Sequence, residues 1–553
     1  HLSQPAAFVT MSTTMITEGQ ALGILWGSLA VFSAVAVGAG FFVYKAGQES
    51  KSADFWYSAR KSQGWVSLGL SFFASSMGAW VVFAAPETGA NFGWWGTFGY
   101  AFASCFPFFV MGIVGPWIRE AFPDGFCLTD WVRERFGRAT QIYVATISVF
   151  YMWIYLVAEL SSMGGLIRDF AGLDPLAALV PVSLVTMVYT MAAGLPASIW
   201  TDRAQGIIMV VFVCIACFAC FPNLDIREEA WVATQRGVAP RGPDAGLEAC
   251  VTLVLCILAA ELMNMGTWQR VYSSKDDKNL RMGFAFGIAL IAPTMILFGI
   301  VGMLAEAQTQ TLTGETMALK FLAFFELLAP LDTGIKCVTF ALGVCMVASS
   351  VDSLQTGLVG VLSQDVASRN LNAKMTTGVG ALFVLAANIP AIIVAAEAQK
   401  DPELSISIIN LFLIADVLAL SIIVPVFMGL YPMATQSGCL AGCGAGVLTI
   451  MVFGWVEFGT FMAGLEMITL MAFGSTASNA LAAGTPLEAG LFASRTTILC
   501  VVLPIITGTV TYFVSATERM LEVLVPMLKE RGLDQAALAK KSDNAQVGSD
   551  TIQ

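Results

Sequence analysis

From Ala21 to Tyr44 the chain carries no charged residue. At about 1.5 Å of rise per residue, a helix over this run exceeds the roughly 30 Å hydrocarbon core of a bilayer and the shorter apolar region of a signal peptide. It therefore reads as a retained transmembrane helix. Further apolar runs fall near 66 to 86, 94 to 118, 140 to 167, 173 to 193, 198 to 222, 248 to 268, 282 to 305, 335 to 363, 375 to 397, 405 to 431, 437 to 458 and 490 to 514. The fold class predicted is an all-α membrane protein with about thirteen spans. A shorter stretch, Phe461 to Gly474, carries Glu466 and reads as a loop helix.

Composition agrees, with 57% hydrophobic residues, 12% charged residues and a mean hydropathy of +0.75. That excludes a soluble enzyme built around one core. The only histidine is His1, which removes imidazole acid–base chemistry, triads and imidazole metal sites. Cys214, Cys217 and Cys220 mimic a ligand spacing, but they lie in an apolar run where cysteine behaves as a small hydrophobe. A net charge of −11 without a basic patch argues against nucleic acid. The partners expected are a lipid bilayer and a small-molecule solute, with no obligate protein partner inferable. The chain begins HLSQPAAF rather than with Met, consistent with upstream processing or an addition.

Positive charges set the orientation. Lys45 to Lys61 follow the first span, Arg119 to Arg138 the third, Arg270 to Arg281 the seventh, and Arg519 to Lys541 the last. With thirteen spans these clusters share one side, which the positive-inside rule makes the cytoplasm, leaving the N-terminus outside and the C-terminus inside. Glu518 to Gly532 has an amphipathic character suited to the membrane surface, and the polar tail from Asp534 is expected to be disordered.

One span is chemically unlike the others. In ALGVCMVASSVDSLQTGLVGVLSQDV (341 to 366), Met346, Ser349, Ser350 and Ser353 recur at helical spacing on one face, with Asp352 at its edge. A charge in hydrocarbon costs about 2.5–3.5 kcal/mol even on the lenient insertion scale, so such a face marks an ion or solute route. The alternative is hydroxyl bonding between helices. Two other spans look interrupted, the second at Ser75, Ser76 and Gly78, and the seventh at Glu261, Asn264 and Gly266. Their separation by five spans fits two inverted five-helix copies whose broken helices line a central site.

Four segments carry a resemblance: ADFWYSARKSQGW (53 to 65), GLPASIWTDRAQG (194 to 206), TWQRVYSSKDD (267 to 277) and ASSVDSLQTGLVGVLSQDV. In this order they resemble the sodium:solute symporters, a family of LeuT-type fold. The resemblance implies inverted repeats over 64–222 and 245–432, with 1–19 an extracellular segment, 20–46 a peripheral first helix, 437–515 peripheral helices and 516–553 a cytoplasmic tail. It implies one sodium held by carbonyls of Ala74, Met77 and Met346 and hydroxyls of Ser349 and Ser350. Neutral oxygens suit a hard cation that must also be released. A second sodium, found in some members, would use Asp202 with Asp352 and Ser353. Those members have a hydroxyl residue where this chain has Asp352. Two desolvated carboxylates repel unless a cation or a proton lies between them, so H+ coupling is the alternative. Asp202 pairing with Arg203 or a helix end is the structural reading.

The family's solute site lies at mid-membrane, where the polar candidates are Trp80, Glu159, Glu261, Asn264, Asn410 and Asp416. Carboxylates without a mid-membrane lysine or arginine favour a neutral or cationic solute, urea or polyamine-like, over an anion. FPDGFCLTDWVRERFG (122 to 137) is similar to a loop of the urea-transporting branch, which makes urea the leading single expectation. Interhelical hydrogen bonding is the structural reading for Glu159 and Glu261. The function expected is sodium-coupled symport by alternating access in the plasma membrane. A transporter-like sensor and an intramembrane aspartyl protease are the other classes; no kinase-sized domain follows Thr517, and neither aspartate sits in a protease-like glycine motif.

Overall fold

The computed structural model describes residues 14–45, 53–222, 224–239, 243–317, 319–361, 373–399, 408–458, 461–462, 465 and 494–530. Among these there is no strand, only an isolated bridge between Gln63 and Ser274. The chain is a helical bundle, as the length of its apolar runs requires in a solvent that offers no backbone partners. Its first helices are α1 (Glu18–Lys45), α2 (Ala53–Ser58), α3 (Trp65–Ser76), α4 (Val81–Ala121) and α5 (Leu128–Phe136). Next come α6 (Arg138–Ala171), α7 (Leu176–Ala193), α8 (Leu195–Ala219), α9 (Glu228–Arg236), α10 (Pro243–Leu262) and α11 (Met265–Ser273). The rest are α12 (Asp277–Thr313), α13 (Ala323–Leu328), α14 (Thr333–Val361), α15 (Ala373–Ala398), α16 (Ile408–Phe427), α17 (Gln436–Phe458) and α18 (Ser494–Glu530). Among the described residues, ten helices are long and apolar enough to cross a membrane, with three shorter apolar helices beside them.

Both expected interruptions are present. The second predicted span stops at Ser76 and restarts at Val81, and the seventh divides into α10 and α11 around Met263 and Asn264. Asn264 starts the new helix as its N-cap, its Oδ1 accepting from the backbone N–H groups of Gly266 (3.0 Å) and Thr267 (3.4 Å). The start of α3 is tied to the end of α11 by backbone bonds, Ser62 and Gln63 N–H to Ser273 O and Lys275 N–H to Gln63 O, at 2.9–3.0 Å. The second and third predicted spans meet in α4, which bends at Gly93 (φ 57°).

The buried core runs through the bundle centre, where α14 has a buried stretch from Leu342 to Val361. A helix buried on all sides matches the mixture of apolar and hydroxyl residues in its sequence. At the other extreme, α18 continues unbroken to Glu530, so the segment from Glu518 extends the last helix and is not a separate surface helix. The tail beyond 530 and nearly all of the Phe461 to Gly474 stretch lie outside the described residues.

Between the spans, α5 is anchored by Asp130, whose Oδ2 accepts from Phe126 N–H (2.7 Å) and Cys127 N–H (3.2 Å). Burial pushes this carboxyl up to about 7, against the lowering effect of those N–H groups. The native state therefore holds the proton more firmly than the unfolded chain. The group's stabilising contribution is full below about pH 4 and is lost as pH rises to about 7. Asp130→Asn is expected to flatten the decline in thermal stability across that window in detergent. An unchanged slope would contradict this assignment.

Candidate functional site

The polar face of α14 meets α3, α8 and α11 in one buried cluster. Asp202, the eighth residue of α8, is fully buried: its Oδ1 accepts from Ser349 Oγ (2.7 Å) and its Oδ2 from Ser71 Oγ (2.5 Å). Asp352 is equally buried on α14, with Ser198 Oγ at 2.8 Å and Ser353 Oγ at 3.3 Å from Oδ1. Tyr189 OH (2.9 Å) and Thr201 Oγ1 (3.1 Å) approach its other oxygen.

Arg270 lies between the two aspartates. Its Nη2 is 2.7 Å from Asp202 Oδ2 and 2.6 Å from Ser353 Oγ, with Ser198 Oγ farther off at 3.3 Å. Nε donates to Ser71 (2.7 Å) and Nη1 to the Gly266 carbonyl (2.9 Å). The side chain is fully buried, although its sequence position places it with the loop charges that set orientation. That is a correction to the charge count: Arg270 belongs inside the bundle. Asp202 does pair with an arginine, but its neighbour Arg203 instead lies 4.2 Å over the Trp200 ring.

Arg270 reaches this position because α11 packs very closely on α14. A Cβ at Gly266 would lie 2.8 Å from the Ser353 carbonyl oxygen, a backbone atom that cannot swing away. Gly78 has a similar role at the other break, where a Cβ would overlap the Glu159 carboxylate. Glu159 Oε2 accepts from the Ala79 N–H (3.2 Å), serving a donor that the interruption leaves without a helical partner.

Next to the cluster is a cavity. Its walls include Trp80 from the first break, Glu159 from α6, Glu261 and Asn264 at the second break, Ser350 from α14 and Asp416 from α16. Five of the six sequence candidates for the solute are thus gathered in one place. Asn410 falls in the first turn of α16, and its side chain lies outside the described residues. Asp416 accepts from Tyr155 OH (3.0 Å) with one oxygen, and its other oxygen is buried without a hydrogen-bond partner. Among the described residues, Glu261 has the long contacts of Asn264 Nδ2 (3.3 Å) and Thr267 Oγ1 (3.5 Å). Trp80, Tyr100, Tyr155 and Phe412 form an aromatic wall, with ring centroids 5.6 Å apart for Trp80–Tyr100, 5.5 Å for Trp80–Phe412 and 4.3 Å for Tyr155–Phe412.

The five residues expected at the first sodium position are all buried around the α3 break and α14: Ala74, Met77, Met346, Ser349 and Ser350. Ser350 Oγ lines the cavity beside the Glu159 carboxylate and has no partner within hydrogen-bonding geometry among the described residues. Carbonyls at the end of α3 have no continuing helix to accept from, so the local chemistry is one of unspent neutral oxygens. Among the described residues no group of three or more Cys, Asp, Glu or His is arranged to hold a metal ion.

Sequence reasoning missed Arg270, Tyr189, Thr201, Ser71, Tyr155 and Phe412. The only available signal was for Arg270, which lies within the quoted TWQRVYSSKDD segment among Trp268, Val271 and Tyr272.

A model of the sodium:solute symporter family matches residues 56–446. The chain is 27% identical over 440 residues to the spermidine transporter DUR31 of Candida albicans, covering 77% of this chain and 80% of that one. It is 22% identical over 373 residues to the sodium/glucose cotransporter of Vibrio parahaemolyticus, covering 61% and 67%. Among solved structures, a substrate-bound, outward-open Na+-coupled sialic acid symporter superposes with a TM-score of 0.65 at 15% identity, over 84% of this chain and 97% of that one. At that identity the likeness is one of fold.

Gly266→Ala is expected to lower stability by about 1–3 kcal/mol, since α11 must move off α14. Gly38→Ala, with nothing within 4 Å of the added Cβ, is the control and should be neutral or stabilising by up to about 1 kcal/mol. Thermal unfolding in detergent reads both. Equal effects would contradict the close packing of α11 on α14.

Proposed function

The chain belongs to the sodium:solute symporter family, and from that premise we propose that it carries an organic cation of the polyamine class into the cell together with sodium. The observation that carries this reading is the cavity wall: three carboxylates, Glu159, Glu261 and Asp416, with no lysine or arginine among the lining residues. A buried carboxylate with an unpaired oxygen is costly, and a cationic solute offsets that cost when it binds. Aromatic faces at Trp80, Tyr100 and Phe412 suit ammonium groups and the methylene spacers between them. Urea is neutral and leaves the carboxylates unpaired, so the polyamine reading is preferred over urea. The identity to a spermidine transporter over most of both chains supports the same class.

Sodium is assigned to carbonyls of Ala74, Met77 and Met346 with Ser349 and Ser350. Bound there, the ion holds the end of α3 against α14 and completes one wall of the cavity. With the N-terminus outside and the C-terminus inside, sodium enters from the extracellular face and leaves into low sodium. Each positive charge moving through about 100 mV contributes roughly 2.3 kcal/mol, so a cationic solute moving with sodium makes uptake strongly voltage-dependent. The plasma membrane is the setting that supplies both gradients.

The test is radiolabelled spermidine uptake into proteoliposomes with an imposed sodium, potassium or proton gradient. Uptake is expected with the sodium gradient and to be inhibited by other polyamines but not by urea or proline. Ser350→Ala should lose at least 10-fold of the sodium-driven rate while keeping its thermal stability. Asp416→Asn should weaken spermidine more than it weakens sodium. Uptake driven equally by potassium, or normal uptake by the Ser350 variant at low sodium, would contradict the assignment.

A further inference from the structure

Asp202 and Asp352 are the residues that the family resemblance implies for a second sodium, and the Arg270 guanidinium bonds to Asp202 and to the two serines that adjoin Asp352. We propose that Arg270 is a tethered cation filling the second ion position, so that this transporter binds and couples to a single sodium.

Three observations carry the inference. First, the guanidinium makes the contacts that an ion would make: it touches Asp202 directly at 2.7 Å and Ser353 at 2.6 Å. Through the hydroxyls of Ser353 and Ser198 it also reaches Asp352, because each of these accepts from Arg270 and lies within hydrogen-bond distance of Asp352 Oδ1. A planar guanidinium suits such a set of oxygens, being always charged and weakly hydrated.

Second, neither aspartate faces the cavity. The central cavity is lined by Ser350 and Ser353 but not by Asp202 or Asp352, both of which are fully buried. Ser350 Oγ, by contrast, lies at that cavity beside the Glu159 carboxylate, with no partner within hydrogen-bonding geometry among the described residues. The hydroxyl that an ion in the cavity can reach is therefore Ser350, on the opposite side of Ser349 from Asp352.

Third, the position on the Ser350 side already answers to Asp202. Ser349 Oγ donates to Asp202 at 2.7 Å, which leaves its lone pairs for an ion there and places that ion's charge one hydroxyl from the carboxylate.

The inference rests on the sodium reading above but not on the polyamine reading, because the test omits solute. Bound 22Na+ is counted on the purified full chain at saturation. One ion per chain is expected for the wild type. Arg270→Ala leaves two carboxylates and a vacated space, and should bind two ions with a sigmoidal sodium dependence. The double variant Asp202→Asn/Arg270→Ala, which has one carboxylate in that space, should return to one ion. Arg270→Lys, which keeps the charge if the alanine variant does not fold, should also bind one. Two ions on the wild type, or on Arg270→Lys, would overturn the proposal, as would one ion on an Arg270→Ala protein whose melting temperature in high sodium matches the wild type. No sodium on the wild type would instead sink the sodium reading itself.

Discussion

The pairing of Arg270 with Asp202 is the interaction on which the centre of this bundle depends. Both side chains are fully buried, and removing one partner of such a pair costs about 3–5 kcal/mol because a bare charge is left behind. The pair also joins four helices. Arg270 comes from α11, Asp202 from α8, Ser71 from α3 and Ser353 from α14. Through it the two broken helices are fastened to the unbroken ones a few residues from their breaks. Gly266 is what allows the approach, since a side chain there would meet the α14 backbone.

The interruptions follow from the same constraint. A membrane helix can stop in mid-bilayer only where its freed backbone groups find partners or face a polar cavity. Here Asn264 caps the start of α11, and Glu159 accepts from Ala79 beyond the end of α3. The cavity forms where these breaks face α6, α14 and α16. Its carboxylates, its aromatic wall and the Ser350 hydroxyl thus adjoin the ion-pair cluster, and Ser353 belongs to both. An ion at the proposed sodium position has a short physical path to a solute in the cavity, through Ser350 and the end of α3.

Hydropathy made the helical class legible, with ten helices among the described residues long and apolar enough to span, because length against bilayer thickness is a strong signal. The breaks were legible at Ser75, Ser76 and Gly78 and at Asn264 and Gly266, since glycine and small polar residues are informative in an otherwise apolar run. Asp202 and Asp352 were legible as two desolvated carboxylates that need a cation or a proton. That Arg270 pairs with Asp202 was not, because an arginine just beyond an apolar run reads as a loop charge until the break shows that the helix continues. Tyr189, Thr201 and Tyr155 gave no signal at all: single hydroxyls in apolar helices are common, and only the packing of α6, α7 and α8 shows which of them face a carboxylate.

The central claim is that sodium completes the cavity that binds an organic cation. It is tested most directly by the affinity of the purified protein for spermidine in sodium against potassium at equal ionic strength, where linkage requires sodium to be bound more tightly in return. Affinity at least about 5-fold higher in sodium is the predicted result, in the range typical of coupled sites. Equal affinity in the two salts would contradict the claim.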